Sequence, residues 1–243
     1  MVELRIKPCG DSAMAVIFRQ EISEEVNREV RAVRKALEKR GINGVKEIVP
    51  AYCSLTIIYD PEIIGFEKLA EEARAAAGEA GDAEAQPAEV LEIPVLYGGE
   101  ETGPDLAFVA EHAGKTEQEV IAIHTSRDYL IYMLGFMPGF AYLGGMSGEI
   151  AAPRLEQPRV KIPAGSVGIA GTQTGVYPSE SPGGWRLIGR TPVKMYDPDR
   201  ETPILPKAGN YIRFRAVDRA EYDRIAAEVR AGTYVCRVVR KEA

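Results

Sequence analysis

Apolar positions along the chain change period several times, and each change marks an element. Residues 13–18 (AMAVIF) form a short apolar run behind the turn Cys9-Gly10-Asp11-Ser12, the pattern of a buried strand. Beyond Ser23 the spacing lengthens: Val26, Val30, Val33 and Leu37 recur at three- and four-residue steps and lay one apolar stripe on a helix. Ser23 is a capping residue, Glu24 and Glu25 fill the first turn, and Gly41 stands just past the last, so both ends of that helix are marked. Two further strand runs follow, 45–49 (VKEIV) and 54–59 (SLTIIY), separated by Pro50, and then a second helix over about 66–77. The expected unit is a small α+β layer of strand, helix, two strands and helix.

Residues 78–89 (GEAGDAEAQPAE) hold no aliphatic side chain larger than alanine and have nothing to bury, which predicts a surface connection and a domain boundary. The expected division is an N-terminal α+β domain over 1–80, a linker over 81–89 and a second domain over 90–243. The second domain opens on the strand run EVLEIPVLY. A helix is expected over 104–113, and Thr116 to Glu119 (TEQE) is a capping-box pattern opening another that carries Val120, Ile121, Ile123 and His124. Helical signals then vanish for about ninety residues. Twelve of the 24 glycines lie between Gly135 and Arg190, among short β runs such as RVKIP, SVGIAG and WRLIGR, the spacing of an irregular barrel or sandwich. The chain closes on YIRFRAV, an Asp218-capped helix with Tyr222, Ile225, Ala226 and Val229, and a strand YVCRVV. That late helix is expected to plug one end of a barrel.

Composition narrows the function classes. With 243 residues, 45% of them hydrophobic and 27% charged, the chain can bury one or two cores. A net charge of -6 gives no general attraction to nucleic acid. No window reaches the roughly 18 apolar residues of a membrane span, and the first residues lack a signal-peptide core, so a cytoplasmic protein without a membrane partner is expected. Cys9, Cys53 and Cys236 are far apart and embedded in apolar runs, against a disulfide framework; two histidines without a Cys/His pair at ligand spacing argue against a metal site.

Candidate chemistry concentrates in the glycine-rich stretch. Residues 168–175 (GIAGTQTG) lack the Lys-Ser/Thr of a phosphate-cradling loop and read as a strand and turn. His124 is the candidate acid/base group by residue type, but its helical position faces inward, where a hydrogen-bonded structural histidine is expected; His112 reads as a solvated surface group. Arg154 and Arg159 each follow a proline, so stiff backbone presents both guanidinium forks at little ordering cost. Arg186 and Arg190, four apart on one strand, are expected to share a face. Phe136, Phe140, Tyr142, Tyr177 and Trp185, the only tryptophan, lie in or beside Gly/Pro turns. Some fill a core; the remainder are expected to line a groove where Gln173 and the arginines converge on a small anionic molecule.

The stretches GFMPGFAYLGGM and PRLEQPRVKIPAGSVGIAGTQTGVYPSESPGGWRLIGRTP resemble the family of 5-oxoprolinase B subunits, also known as allophanate hydrolase subunit 1 and kinase A inhibitor (KipI-like) proteins. Weaker similarity (GDSAMAVIF, EIVPAYCSLTIIYDP, IAIHTSRDYLIYMLGF) extends over almost the whole chain. The resemblance implies a small α+β domain followed by a cyclophilin-like β-barrel. It implies work with the 5-oxoprolinase C subunit, which is related to allophanate hydrolase subunit 2, and with the A subunit, in an ATP-dependent enzyme that opens 5-oxo-L-proline to glutamate. The chain alone is then expected to be inactive, with no secure catalytic residue, and which member of the complex binds ATP is left open. Phe136, Phe140, Tyr142, Arg154, Arg159, Gln173, Tyr177, Trp185 and Arg190 fall on the family signature and are the expected substrate-binding set. The three arginines Arg154, Arg159 and Arg190 would hold a carboxylate or phosphoryl oxygen against the wall of Phe140, Tyr142 and Trp185. The same resemblance leaves two alternatives: a component of an enzyme acting on allophanate or of a urea carboxylase-type carboxyltransferase, and a protein that inhibits a sensor histidine kinase.

Overall fold

A computed structural model describes residues 4–80 and 88–241, and the chain divides into two compact units, Met1–Gln86 and Pro87–Ala243. Most of the connection expected over 81–89 lies outside the described residues.

The first unit is a four-stranded antiparallel sheet, ordered β1-β2-β4-β3, with two helices. Its strands are β1 (Arg5–Pro8), β2 (Ala13–Ile17), β3 (Val45–Pro50) and β4 (Ser54–Tyr59), and its helices α1 (Glu24–Arg40) and α2 (Phe66–Glu79). Alternation along β2 and β4 sends Met14, Val16, Leu55 and Ile57 to one face, and the register puts Met14 opposite Ile57 and Val16 opposite Leu55. The α1 stripe Val26, Val30, Val33 and Leu37 and the α2 residues Leu69, Ala70 and Ala73 close on that face. Ser23 Oγ accepts from Val26 N at 3.3 Å, and Gly41 ends α1 in the left-handed region at φ 57°. Strand β1 is an addition to the expected unit: it is an edge strand with little burial, so no apolar alternation betrays it. Pro50 belongs to β3 instead of separating two strands, which an edge position permits.

The second unit starts with β5 (Glu89–Tyr97), followed by α3 (Gly99–Thr102), α4 (Leu106–Ala113) and α5 (Glu117–Thr125). Then come β6 (Asp128–Leu134), β7 (Ala141–Gly144), β8 (Arg159–Ile162), β9 (Ser166–Ala170), β10 (Gln173–Val176), β11 (Ser181–Gly183), β12 (Arg186–Arg190), β13 (Tyr211–Ala216), α6 (Arg219–Arg230) and β14 (Val238–Arg240). The main sheet runs β10-β9-β12-β5-β13-β6-β7, and its end strands β10 and β7 approach each other, so the sheet curls into a nearly closed barrel; β8 and β11 pair separately. The α+β class and the barrel-like second unit thus stand as expected. Strand β5 is buried over six consecutive residues as a central strand should be, and Pro94 occupies the gap between β14, paired at Glu89 to Leu91, and β12, paired at Leu96 and Tyr97. The final strand is shorter than YVCRVV suggested, Val238–Arg240 only. Of the inward candidates on α6 only Ile225 is fully buried, while Tyr222, Ala226 and Val229 stay half-exposed. It is α5, opened by the Thr116/Glu119 capping box, that sends Val120 and His124 into the core.

His124 is wholly enclosed. Its Nε2 lies 2.7 Å from Thr174 Oγ1, whose hydroxyl hydrogen is committed to Gly168 O at 3.1 Å, so Nε2 carries the proton and donates. Nδ1 then accepts from the Tyr97 hydroxyl at 2.7 Å, and the Phe214 ring stacks on the imidazole at 4.6 Å. A neutral ring satisfied at both nitrogens is a structural group. Burial lowers its pKa from 6.5 to about 3.

The glycines of the β run answer a packing need. A Cβ on Gly168 would stand 3.1 Å from Trp185 Cβ, one on Gly175 3.2 Å from the Trp185 ring, and one on Gly183 2.5 Å from the Tyr177 hydroxyl. Rings seated on bare Cα atoms make a second core of Phe140, Ile162, Ala170, Tyr177, Trp185 and Leu187, separate from the main barrel core of Ile93, Val95, Ile131, Ile169, Ile212 and Phe214.

Two outcomes are expected. Below pH 6.5 the unfolded chain binds a proton at His124 that the folded chain refuses until about pH 3, so this contribution is complete above 6.5 and lost as pH falls toward 3. Relative to His124→Gln, wild-type unfolding free energy, followed by Trp185 fluorescence in urea, should fall by up to about 1.4 kcal/mol per pH unit in that window; parallel curves would contradict the assignment. Gly175→Ala should cost about 1–3 kcal/mol and shift Trp185 emission to the red, whereas Gly148→Ala, with open space at its Cβ position, should change neither.

Candidate functional site

On the second core, Phe140 sits at the centre of four edge-to-face contacts, to Phe136 (5.7 Å), Tyr142 (5.1 Å), Tyr177 (6.3 Å) and Trp185 (5.9 Å). Phe140, Tyr177 and Trp185 are buried, Tyr142 is half-buried, and Phe136 is 70% exposed. Phe136 also holds φ 66°, a left-handed backbone that costs a non-glycine residue roughly 1–3 kcal/mol. The turn is tied by Gly135 N donating to Phe140 O and Phe140 N to Met137 O, and Gly139 (φ 82°) lies so close to Met195 and Tyr196 that a side chain there would collide. The ring is held out by its surroundings, not by its own preference.

Arginines gather at the Trp185 end of this cluster. The Arg159 guanidinium grips Asp105 with both ends, Nη1 to Oδ2 at 2.9 Å and Nη2 to Oδ1 at 3.0 Å, and Nη1 reaches Trp185 O at 3.5 Å. Arg186 Nη1 lies 3.9 Å from the same carboxylate, Nε donates to Pro153 O at 3.1 Å, and the guanidinium covers the Phe108 ring at 3.6 Å. Arg154 is exposed, its guanidinium carbon 6.0 Å from the centre of the Trp185 ring, and has no carboxylate partner among the described residues. Burial raises the Tyr177 phenol pKa, against a hydrogen bond with the Trp185 backbone and the charges of Arg154 and Arg159. Two guanidinium groups therefore face one carboxylate and a third lies over the adjoining Trp185 ring, in a chain of net charge -6.

Phe136, Phe140, Tyr142, Tyr177, Trp185, Arg154 and Arg159 come together here. Gln173 is half-buried at the start of β10, opposite Ala170. Arg190 is elsewhere: at the far end of β12 its Nε donates to Ala164 O at 3.1 Å, and its charge partly offsets the burial that raises the Tyr222 pKa. Nor does it share a face with Arg186. Pairing Arg186 with Ile169 but Arg190 with Ser166, three residues away, requires a bulge between Leu187 and Gly189, which reverses the alternation. His124 is sealed in the barrel core, away from solvent, and His112 is exposed.

The residue that sequence reading missed is Asp105. It stands at the N-cap of α4, yet its side chain makes no capping bond to that helix. It turns instead to β12, its Oδ2 accepting from Leu187 N at 2.7 Å while its own N–H donates to Leu187 O at 2.9 Å. Gly103 permits this approach, since a Cβ there would stand 2.3 Å from Ile188 O. The GIAGTQTG stretch is the β9–β10 hairpin, a strand and turn as its sequence suggests.

A family model described as carboxyltransferase domain, subdomain C and D, matches residues 4–206. The chain is 45% identical over 231 residues to a Bacillus subtilis (strain 168) protein named as the B subunit of 5-oxoprolinase, covering 91% of this chain and 96% of that one. It is similar to the solved structure of a conserved uncharacterized protein, PH0987 of Pyrococcus horikoshii, with 48% identity, a TM-score of 0.54, and coverage of 90% of this chain and 100% of that one. The urea carboxylase of Kluyveromyces lactis shares the fold at 17% identity, with a TM-score of 0.79 over 99% of this chain and 24% of its own. Matched over nearly its full length by such relatives, the chain belongs to the family of 5-oxoprolinase B subunits, within the group that carries carboxyltransferase subdomains C and D.

Proposed function

We propose that the protein is the B subunit of a 5-oxoprolinase and that its cationic, ring-walled face receives the carboxylate of 5-oxo-L-proline. The carrying observation is the excess of guanidinium charge: Arg159 and Arg186 share the Asp105 carboxylate, and Arg154, beside the Trp185 ring, has no ion partner among the described residues. A small lactam acid offers a carboxylate for those donors and a flat ring for an aromatic wall. Arg154 and Arg159 bind the anion, and Tyr142, Trp185 and the projecting Phe136 exclude water around the lactam. Support for the assignment comes from relatives of 36–45% identity that bear the B-subunit name.

A protein of this kind works within a larger assembly, and we place the A and C subunits beside it, in the cytoplasm, with ATP consumed by the assembled complex. Lactam opening needs an energy input because a ring amide is a poor electrophile.

In complexes assembled with the neighbouring subunits, Arg154→Gln and Arg159→Gln should each raise KM for 5-oxoproline by about 10- to 100-fold, the loss of a charge-assisted bond. Arg190→Gln should leave KM within about twofold. Intact complexes of both Arg154 and Arg159 variants with wild-type KM in an ATP-dependent glutamate-release assay would overturn the site.

A further inference from the structure

Asp105 stands at the start of a helix, where an aspartate ordinarily accepts from the N–H groups of its own first turn. It forgoes that role. Almost wholly buried, it spends one oxygen on Leu187 N and both on the Arg159 fork. Leu187 is a member of the second core and follows Trp185 by two residues, so one carboxylate fixes the β12 backbone beneath the ring wall and the guanidinium beside it.

We infer that Asp105 is a positioning residue that pre-sets Arg159 for the anionic ligand, an inference that rests on the anion site proposed above. The geometry carries it. Nη1 donates to the Trp185 carbonyl and Nη2 to Oδ1, with Nη1 also 2.9 Å from Oδ2, which leaves Nε–H without a partner among the described residues. An arginine side chain is long and rich in rotamers, and immobilising it before the ligand arrives removes that ordering cost from binding. Arg186, stacked on Phe108 and 3.9 Å from Oδ1, closes the other side of Asp105 and leaves the carboxylate little room to turn. The ion pair leaves Arg159 with donors but little net charge, and Arg154 supplies the uncompensated cation.

The test is a double-mutant cycle in the assembled complex, using 5-oxoproline and ATP. Asp105→Asn keeps an oxygen for Leu187 N–H but removes the charge that grips Arg159. It should raise KM about three- to tenfold, with kcat within about twofold, the scale of one re-mobilised side chain. In an Arg159→Gln background the same substitution should add nothing further. If Arg159→Gln itself leaves KM unchanged, Arg159 holds no ligand and the inference falls with it, and the anion site fails as well if Arg154→Gln is also without effect; if Arg159→Gln raises KM while Asp105→Asn does not, or if the two effects multiply as independent losses, only the positioning role falls. Nitrogen-15 NMR of the unliganded chain gives a second reading: rotation of the Arg159 guanidinium should be slow in wild type and fast in Asp105→Asn, and equal rates would overturn the inference. Should Asp105→Asn fail to assemble, Asp105→Glu, which keeps the charge but displaces it by a methylene, should raise KM likewise; an unchanged KM would again refute the role.

Discussion

Trp185 can pack this closely against the strands only because Gly168 and Gly175 present no side chain to it. That close approach of ring to backbone organises the later part of the chain. It lets Phe140 and Tyr177 meet Trp185 edge-on, it gives the β-rich unit a second apolar cluster apart from the barrel core, and it brings the Trp185 carbonyl within reach of Arg159. Gly/Pro-rich backbone is poor at building a helix, but here it provides shallow seats on a strand surface. Large rings occupy the seats, and the site's wall is a consequence of core packing.

Charge is arranged around the same seat. A buried carboxylate is costly unless it is paired and hydrogen-bonded, and Asp105 meets both conditions through Leu187 N–H and the Arg159 fork. It does so where Gly103 lets the start of α4 touch β12. The result is asymmetric: cations outnumber carboxylates on this patch although acids outnumber bases along the chain. The positive potential is local, and the molecule as a whole stays acidic.

His124 shows why residue type alone misleads. An imidazole is the usual acid/base group near neutrality, yet here both nitrogens are committed, the ring is stacked on Phe214, and burial drives the pKa to about 3. Its bond to Thr174, and through that hydroxyl to Gly168 O, ties α5 to the strands that seat Trp185. The histidine thus serves the ring wall from the core side.

Local pattern by itself determined the helices α1, α2 and α5, their caps at Ser23 and Thr116, the α+β first unit and the glycine-rich β character of the second, because period, capping chemistry and backbone freedom are properties of neighbouring residues. It also marked Arg154, Arg159 and the aromatic set as a group, through proline-stiffened turns and a family signature. Tertiary structure decided the rest. The bulge after Leu187 separated Arg190 from Arg186, since strand alternation holds only while the register is unbroken. Short, mostly exposed β1 left no apolar alternation to read, and of the α6 stripe Tyr222, Ile225, Ala226 and Val229 packing buried Ile225 alone. Asp105 met Arg159 across 54 residues of chain. No local pattern encodes such a meeting, because the partner of a charge is set by where the fold brings two distant backbones together.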